Sequence, residues 1–246
     1  MSGPVTVIAI DGPSASGKST VARLLAKALD YNYVDSGAMY RAVTWKVIEE
    51  GLPVSDPEQV LALIHRVTIH FEIVERAARM FVDGVDPGNA VREPRVAEKV
   101  SIIAAIPEVR QLLVAHQRSL TKFGSLVMEG RDIGSVVFPD TPHKFYLDAD
   151  PAVRAQRRMK DFAAMKIAAD SAGVAQALQQ RDKLDSSRAV APLQIALGAT
   201  VINNSHQSPE ETVRIILDHI RQAGTRRGAL GMERPDSTSQ PRSGSR

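Results

Sequence analysis

The chain has 246 residues, a formal charge of +3 and no cysteine. That length suits one α/β domain with insertions, and the lack of cysteine excludes disulfides, thiolate zinc sites and a cysteine nucleophile. The six histidines show no paired ligand spacing, so any metal is expected to be Mg²⁺ on oxygen ligands.

From the N-terminus, no charged-then-apolar leader opens the sequence and no apolar run approaches about 18 residues. A cytoplasmic protein with no membrane association is expected. Residues 5–10 read as a buried parallel strand and lead directly into Gly12-Pro13-Ser14-Ala15-Ser16-Gly17-Lys18-Ser19-Thr20. This G-x-x-x-x-G-K-S spacing is that of a phosphate-binding loop. Its glycines let backbone N–H groups turn inward, and the helix that follows adds the positive end of its dipole. Lys18 is placed to reach the β- and γ-phosphates, and the Ser19 hydroxyl to face Mg²⁺. GTPases, motor ATPases and small-metabolite kinases all use such a loop, so it leaves the second substrate open.

Four further apolar runs, at 31–34, 125–128, 144–147 and 200–202, alternate with helical patterns. The expectation is a five-stranded parallel sheet flanked by helices, with ligands outside the carboxyl ends of its strands. The second run ends in Asp35-Ser36-Gly37-Ala38-Met39-Tyr40-Arg41 and the third in Glu129-Gly130-Arg131-Asp132-Ile133-Gly134. Ser36 and Arg41 could meet one anion, or could be a helix cap beside an exposed arginine. Arg131 and Asp132 could serve a ligand or form a salt bridge at a turn.

About ninety residues separate these two runs. Asp56 and Pro57 predict a helix to about residue 66; 67–73 and 79–82 suggest an antiparallel hairpin, and helices follow over 94–105 and from Pro107. This insert is expected as a lobe over one end of the sheet. Beyond the fourth run, Arg154, Arg157 and Arg158 share a helix begun by Asp150-Pro151, and Arg181, Asp185 and Arg188 share one helical face. The Ala/Gly-rich stretch 163–177 lies between them, so the two basic helices look like a lid closing over phosphates; a solvated ion-pair stripe is the alternative. Ser208, Pro209 and Glu211 open a closing helix to about Gln222. In 225–246, Arg226, Arg227, Arg234, Arg242 and Arg246 face only Glu233 and Asp236. This segment supplies the whole positive excess and is expected to be a disordered tail, with no nucleic-acid partner.

Taken together, the loop, Asp35 to Arg41, Glu129 to Gly134 and the run Arg181-Asp182-Lys183-Leu184-Asp185-Ser186-Ser187-Arg188-Ala189-Val190-Ala191-Pro192-Leu193 resemble the bacterial-type cytidylate kinases over 5–222. The resemblance implies one kinase domain over 1–224: a core of about 1–55, 122–150 and 190–224, an inserted CMP-binding lobe over 56–121 and a lid over 151–189. It implies ATP and Mg²⁺ as cofactors, CMP or dCMP as acceptor and a monomer. Ser36, Arg41, Arg131 and Arg188 would hold the acceptor phosphate, Ser101, Arg110 and Asp132 would read cytosine, and Arg181 and Asp185 would contact ribose. Lys18 with the lid residues Arg154 and Arg158 would neutralise the transferring group. Asn203 and Asn204 depart from the family, which shows an Asp followed by Thr or Ser after the last strand. Another small-molecule kinase, or a GTPase-like switch, is the alternative; the guanine-reading Asn-Lys-x-Asp of the switch is lacking.

Overall fold

The computed structural model describes residues 5–230. Its central sheet contains β1 (Val7–Asp11), β2 (Asn32–Asp35), β3 (Ile69–Val74), β4 (Ala77–Val82), β5 (Leu126–Gly130), β6 (His143–Asp148) and β7 (Thr200–Asn203). They lie in the order β3-β4-β2-β5-β1-β6-β7. The five runs read from the sequence form the contiguous parallel part, β2-β5-β1-β6-β7. The expected five-stranded sheet is therefore corrected to seven strands. The hairpin of the insert pairs internally antiparallel and joins the sheet edge through Tyr33 opposite Ala77, parallel to β2. Its tight turn places Glu75 and Arg76 at positive φ, 49° and 62°.

Helices α1 (Lys18–Leu29), α2 (Ser36–Glu49), α3 (Pro57–Arg66), α4 (Pro94–Ala97), α5 (Val100–Ile103), α6 (Pro107–Ser119), α7 (Pro151–Ala164), α8 (Ser171–Ser186) and α9 (Pro209–Leu230) complete the fold. The caps follow the sequence. Asp35 accepts from the Ala38 N–H at 2.8 Å, and Asp56 from Gln59 at 3.2 Å. Ser208 and Glu211 form a reciprocal capping box. The helix expected over 94–105 is instead the two short pieces α4 and α5, and α9 runs past Gln222 to Leu230. Residues 231–246 of the expected tail lie outside the described residues.

The core divides across the sheet. On one face Val43, Val47, Leu63, Ile103, Leu113 and Met128 join α2, α3, α5 and α6; on the other Ile8, Ile10, Leu25, Val127, Leu147 and Ile216 join α1 and α9. A third cluster, Ala155, Val174 and Leu178, holds α7 against α8 and has Ala15 of the glycine-rich loop packed on it. The hairpin of basic helices thus rests directly on that loop.

Candidate active site

The loop over 12–17 leaves β1 at the carboxyl edge of the sheet and enters α1. Gly12 (φ +148°), Ala15 (φ 59°) and Gly17 (φ 90°) give it the inward-facing backbone. A Cβ on Gly12 would stand 2.0 Å from the Leu147 carbonyl oxygen, so only glycine fits there. Ser14 and Ser16 are buried, Ser19 is half-buried in the first turn of α1, and Thr20 is exposed. Lys18 is buried, with Nζ donating to the Pro13 carbonyl at 2.6 Å and to Ser16 Oγ at 3.4 Å. Burial, with Arg131 nearby, pushes its ammonium down to about 7.

Beside the loop, the ends of β2 and β5 lead into Ser36, Arg41, Arg131 and Asp132, and other predicted groups come from α5, α6, α8 and the residues after α8. Ser36 Oγ donates to the Glu129 carbonyl at 2.7 Å, and Arg41 pairs with Asp35 at 2.7 Å. Although burial opposes it, Arg41 and Arg92 hold the Asp35 carboxyl below its ordinary value. Arg131 Nε donates to Asp185 at 2.9 Å. Arg188, expected on one helical face with Arg181 and Asp185, instead lies past the end of α8 at Ser186, and its Nη2 stands 3.9 Å from the same carboxylate. Arg110 and Asp132 form a buried ion pair, and Arg110 also donates to the Ala104 carbonyl at 3.1 Å. Burial pushes the Asp132 carboxyl up in spite of Arg110. Ser101 lies half-buried on α5, which packs against α8.

The helical hairpin supplies the remaining cations. Arg158 donates to Ser14 Oγ at 3.0 Å, and burial lowers its guanidinium. Arg154 turns into the protein, donating to the Ala149 and Ser14 carbonyls at 3.1 and 3.2 Å and pairing with Asp182. Arg181 is lowered by burial and then by Arg131. Lys18, Arg131 and Arg181 therefore repel one another in one cleft. Arg41 Nε, Arg181 Nε and Arg188 Nη2 are all buried without a hydrogen-bond partner. Buried guanidinium donors left unpaired cost more than neutral ones, so this arrangement is built to receive an anion.

Asp11 has no role in the sequence reading, and Glu129 and Asp182 enter it only within their motifs. Asp11, the last residue of β1, accepts from the Ile133 and Gly134 N–H groups, each at 2.8 Å, and burial pushes it up to about 6. It ties the loop-bearing strand to the turn carrying Asp132. Glu129 accepts from the Tyr33 hydroxyl at 2.7 Å. Asp182 accepts from the Ser14 N–H at 3.3 Å. The one available signal for Asp11 was an acid closing an apolar strand.

The loop, the parallel strands that carry it and the convergent cations define a phosphotransferase of the phosphate-binding-loop class. A family model described as cytidylate kinase matches residues 8–222. A cytidylate kinase of Caldanaerobacter subterraneus subsp. tengcongensis is 40% identical over 215 residues, covering 87% of this chain and 94% of the relative. One of Parabacteroides distasonis is 42% identical over 222 residues, covering 88% and 97%. The chain belongs to the cytidylate kinase family.

Proposed function

We propose that the site transfers the γ-phosphate of ATP to CMP or dCMP, giving CDP or dCDP and ADP. The observation that carries this is the set of three buried, unpartnered guanidinium nitrogens on Arg41, Arg181 and Arg188 beside a phosphate-binding loop. A phosphate between Arg41 and Arg188 and a ribose hydroxyl at Arg181 would satisfy them, with the donor phosphates on the loop. Ser36, Arg41, Arg131 and Arg188 hold the acceptor phosphate, and forked guanidiniums suit a dianion. Arg181 and Asp185 face the ribose. Asp132, with Arg110 and Ser101, reads cytosine: a carboxylate accepts from the exocyclic N4 amine and is repelled by the O4 of uracil.

Among the described residues no group of three or more His, Cys, Asp or Glu could hold a metal ion. The donor set, a single Ser19 hydroxyl beside the loop, fits a Mg²⁺ that arrives with the nucleotide and keeps phosphate and water ligands. Bound there, it would neutralise charge on the transferring group. Lys18 and Arg158 serve the same charge from the protein side, and Arg131 and Arg188 align the attacking phosphate oxygen. That oxygen is already ionised at pH 7, so no strong general base is needed and Asp132 remains a binder. No described helix is long and apolar enough to cross a membrane, and a cytoplasmic monomer is part of the same proposal.

A coupled assay for ADP, run with CMP, dCMP, UMP, AMP and no acceptor, tests the reading. Strict dependence on CMP or dCMP is expected, and ADP release without acceptor would contradict it. A second test uses Lys18, whose ammonium lies near 7 in the protein without nucleotide. Phosphates raise it, so at pH 8 ATP binding should draw a proton from solution, and affinity should fall as pH rises through 7 to 9. Calorimetry in two buffers of different ionisation enthalpy measures the uptake; none at pH 8 would refute the linkage.

A further inference from the structure

The Ser16 carbonyl oxygen faces away from the phosphate cradle toward two side chains that come from distant parts of the chain. Arg157 Nη1, on α7, donates to it at 3.1 Å, and Asn204 Nδ2, just after β7, donates at 2.9 Å. The two are also tied to each other: Arg157 Nη1 reaches Asn204 Oδ1 at 2.9 Å and Nη2 reaches the Asn204 carbonyl at 2.8 Å. Asn204 is 3% exposed, and its own N–H is anchored on the Asp148 carbonyl at 2.9 Å.

We infer that Arg157 and Asn204 form a clamp that aims the Gly17 N–H at the donor phosphates. A peptide unit is planar and trans, so its C=O and N–H point in opposite directions. Pinning the Ser16 oxygen outward with two donors therefore turns the Gly17 N–H inward. Gly17 sits at φ 90°, a conformation reached through glycine's freedom, and the clamp selects one orientation from that freedom. Both ends of the Asn204 amide are used, one as donor to the loop and one as acceptor for Arg157. A carboxylate would keep the second bond and lose the first. Arg157 needs its fork, because it meets three oxygens at once. Both are positioning residues, acting through the backbone of the loop.

This inference rests on the loop's being the ATP site, and its test separates the two. Steady-state kinetics on the full chain would compare Arg157→Met, Arg157→Lys, Asn204→Ala, Asn204→Asp and the double variant Arg157→Met/Asn204→Ala, with thermal melting to confirm folding. Each single variant is expected to lower kcat/KM for ATP about 10- to 100-fold while KM for CMP stays within about twofold. Lysine and aspartate should rescue poorly. The double variant should lose little more than the worse single one, since the two groups act as a unit. A rise in KM for CMP matching the loss toward ATP, multiplicative effects in the double variant, or full rescue by lysine would overturn the clamp. Unchanged ATP kinetics in a folded, active variant would overturn it while leaving the ATP reading intact; a wild-type protein inactive with ATP would overturn both.

Discussion

Turnover should fall by about 10²- to 10³-fold when Lys18 is replaced with alanine, measured at saturating ATP and CMP. Lys18 is buried in the loop, and its nearest partners are the Pro13 carbonyl and Ser16 Oγ. In the proposed reaction this ammonium serves the charge developing between donor and acceptor. Burial first, and then Arg131, lowers this ammonium. Binding of ATP relieves the repulsion from Arg131, and transfer makes further use of it. The alanine variant should retain CMP binding and lose the proton uptake at pH 8. Turnover near that of the wild type would refute the role given to the loop.

The second large effect is expected at Asp132. In Asp132→Ala, KM for CMP should rise and the advantage of CMP over UMP should shrink by about 1–3 kcal/mol, or roughly 5- to 150-fold. Arg110 would lose its buried partner, and removing one member of a buried pair costs about 3–5 kcal/mol of stability. A fall in melting temperature should therefore accompany the kinetic change. Asp132→Asn separates the two effects, because its amide fills the same space and can donate to the O4 of uracil. It should move preference toward UMP. Selectivity that does not move in either variant would refute base reading by this carboxylate.

Much of the framework is readable because it depends on local chemistry. The five parallel strands come from apolar runs each followed by a cluster of polar or small residues, and the loop from glycines that the backbone requires at positive φ. The hairpin was also visible, yet its place on the sheet was not. It docks through a single register position, Tyr33 opposite Ala77, and turns on Glu75 and Arg76 rather than on glycine. The Ala/Gly-rich stretch suggested a long break between the basic helices, whereas α7 and α8 leave only residues 165–170 between them. Alanine is a good helix former, and Asp170 caps α8 by accepting from the Gly173 N–H.

Within the site, residues tied to a motif were legible and those tied to a register were not. Ser36, Arg131 and Asp132 follow strand ends and announce themselves by type and position. Asp11 meets Ile133 and Gly134 only because β1 lies beside β5, with more than a hundred residues of chain between them. Arg154 is expected from the sequence at the transferring phosphate; in the structure it donates to the carbonyls of Ala149 and Ser14 and pairs with Asp182. No periodicity distinguishes an arginine that faces a ligand from one that turns inward to brace a loop.

Asp35 stands opposite Glu129 in the sheet, and Asp11 opposite Gly130. Three neighbouring strands thus stop at nearly one level, and the next residues are Ser36, Arg131 and Gly12. Adjacent strands are spaced about 4.8 Å apart by their hydrogen bonds. The spacing between the glycine-rich loop, Ser36 and Arg131 is therefore a ruler made of main chain. Side chains on α5 and α6 can change without resetting that spacing, because main-chain hydrogen bonds set it.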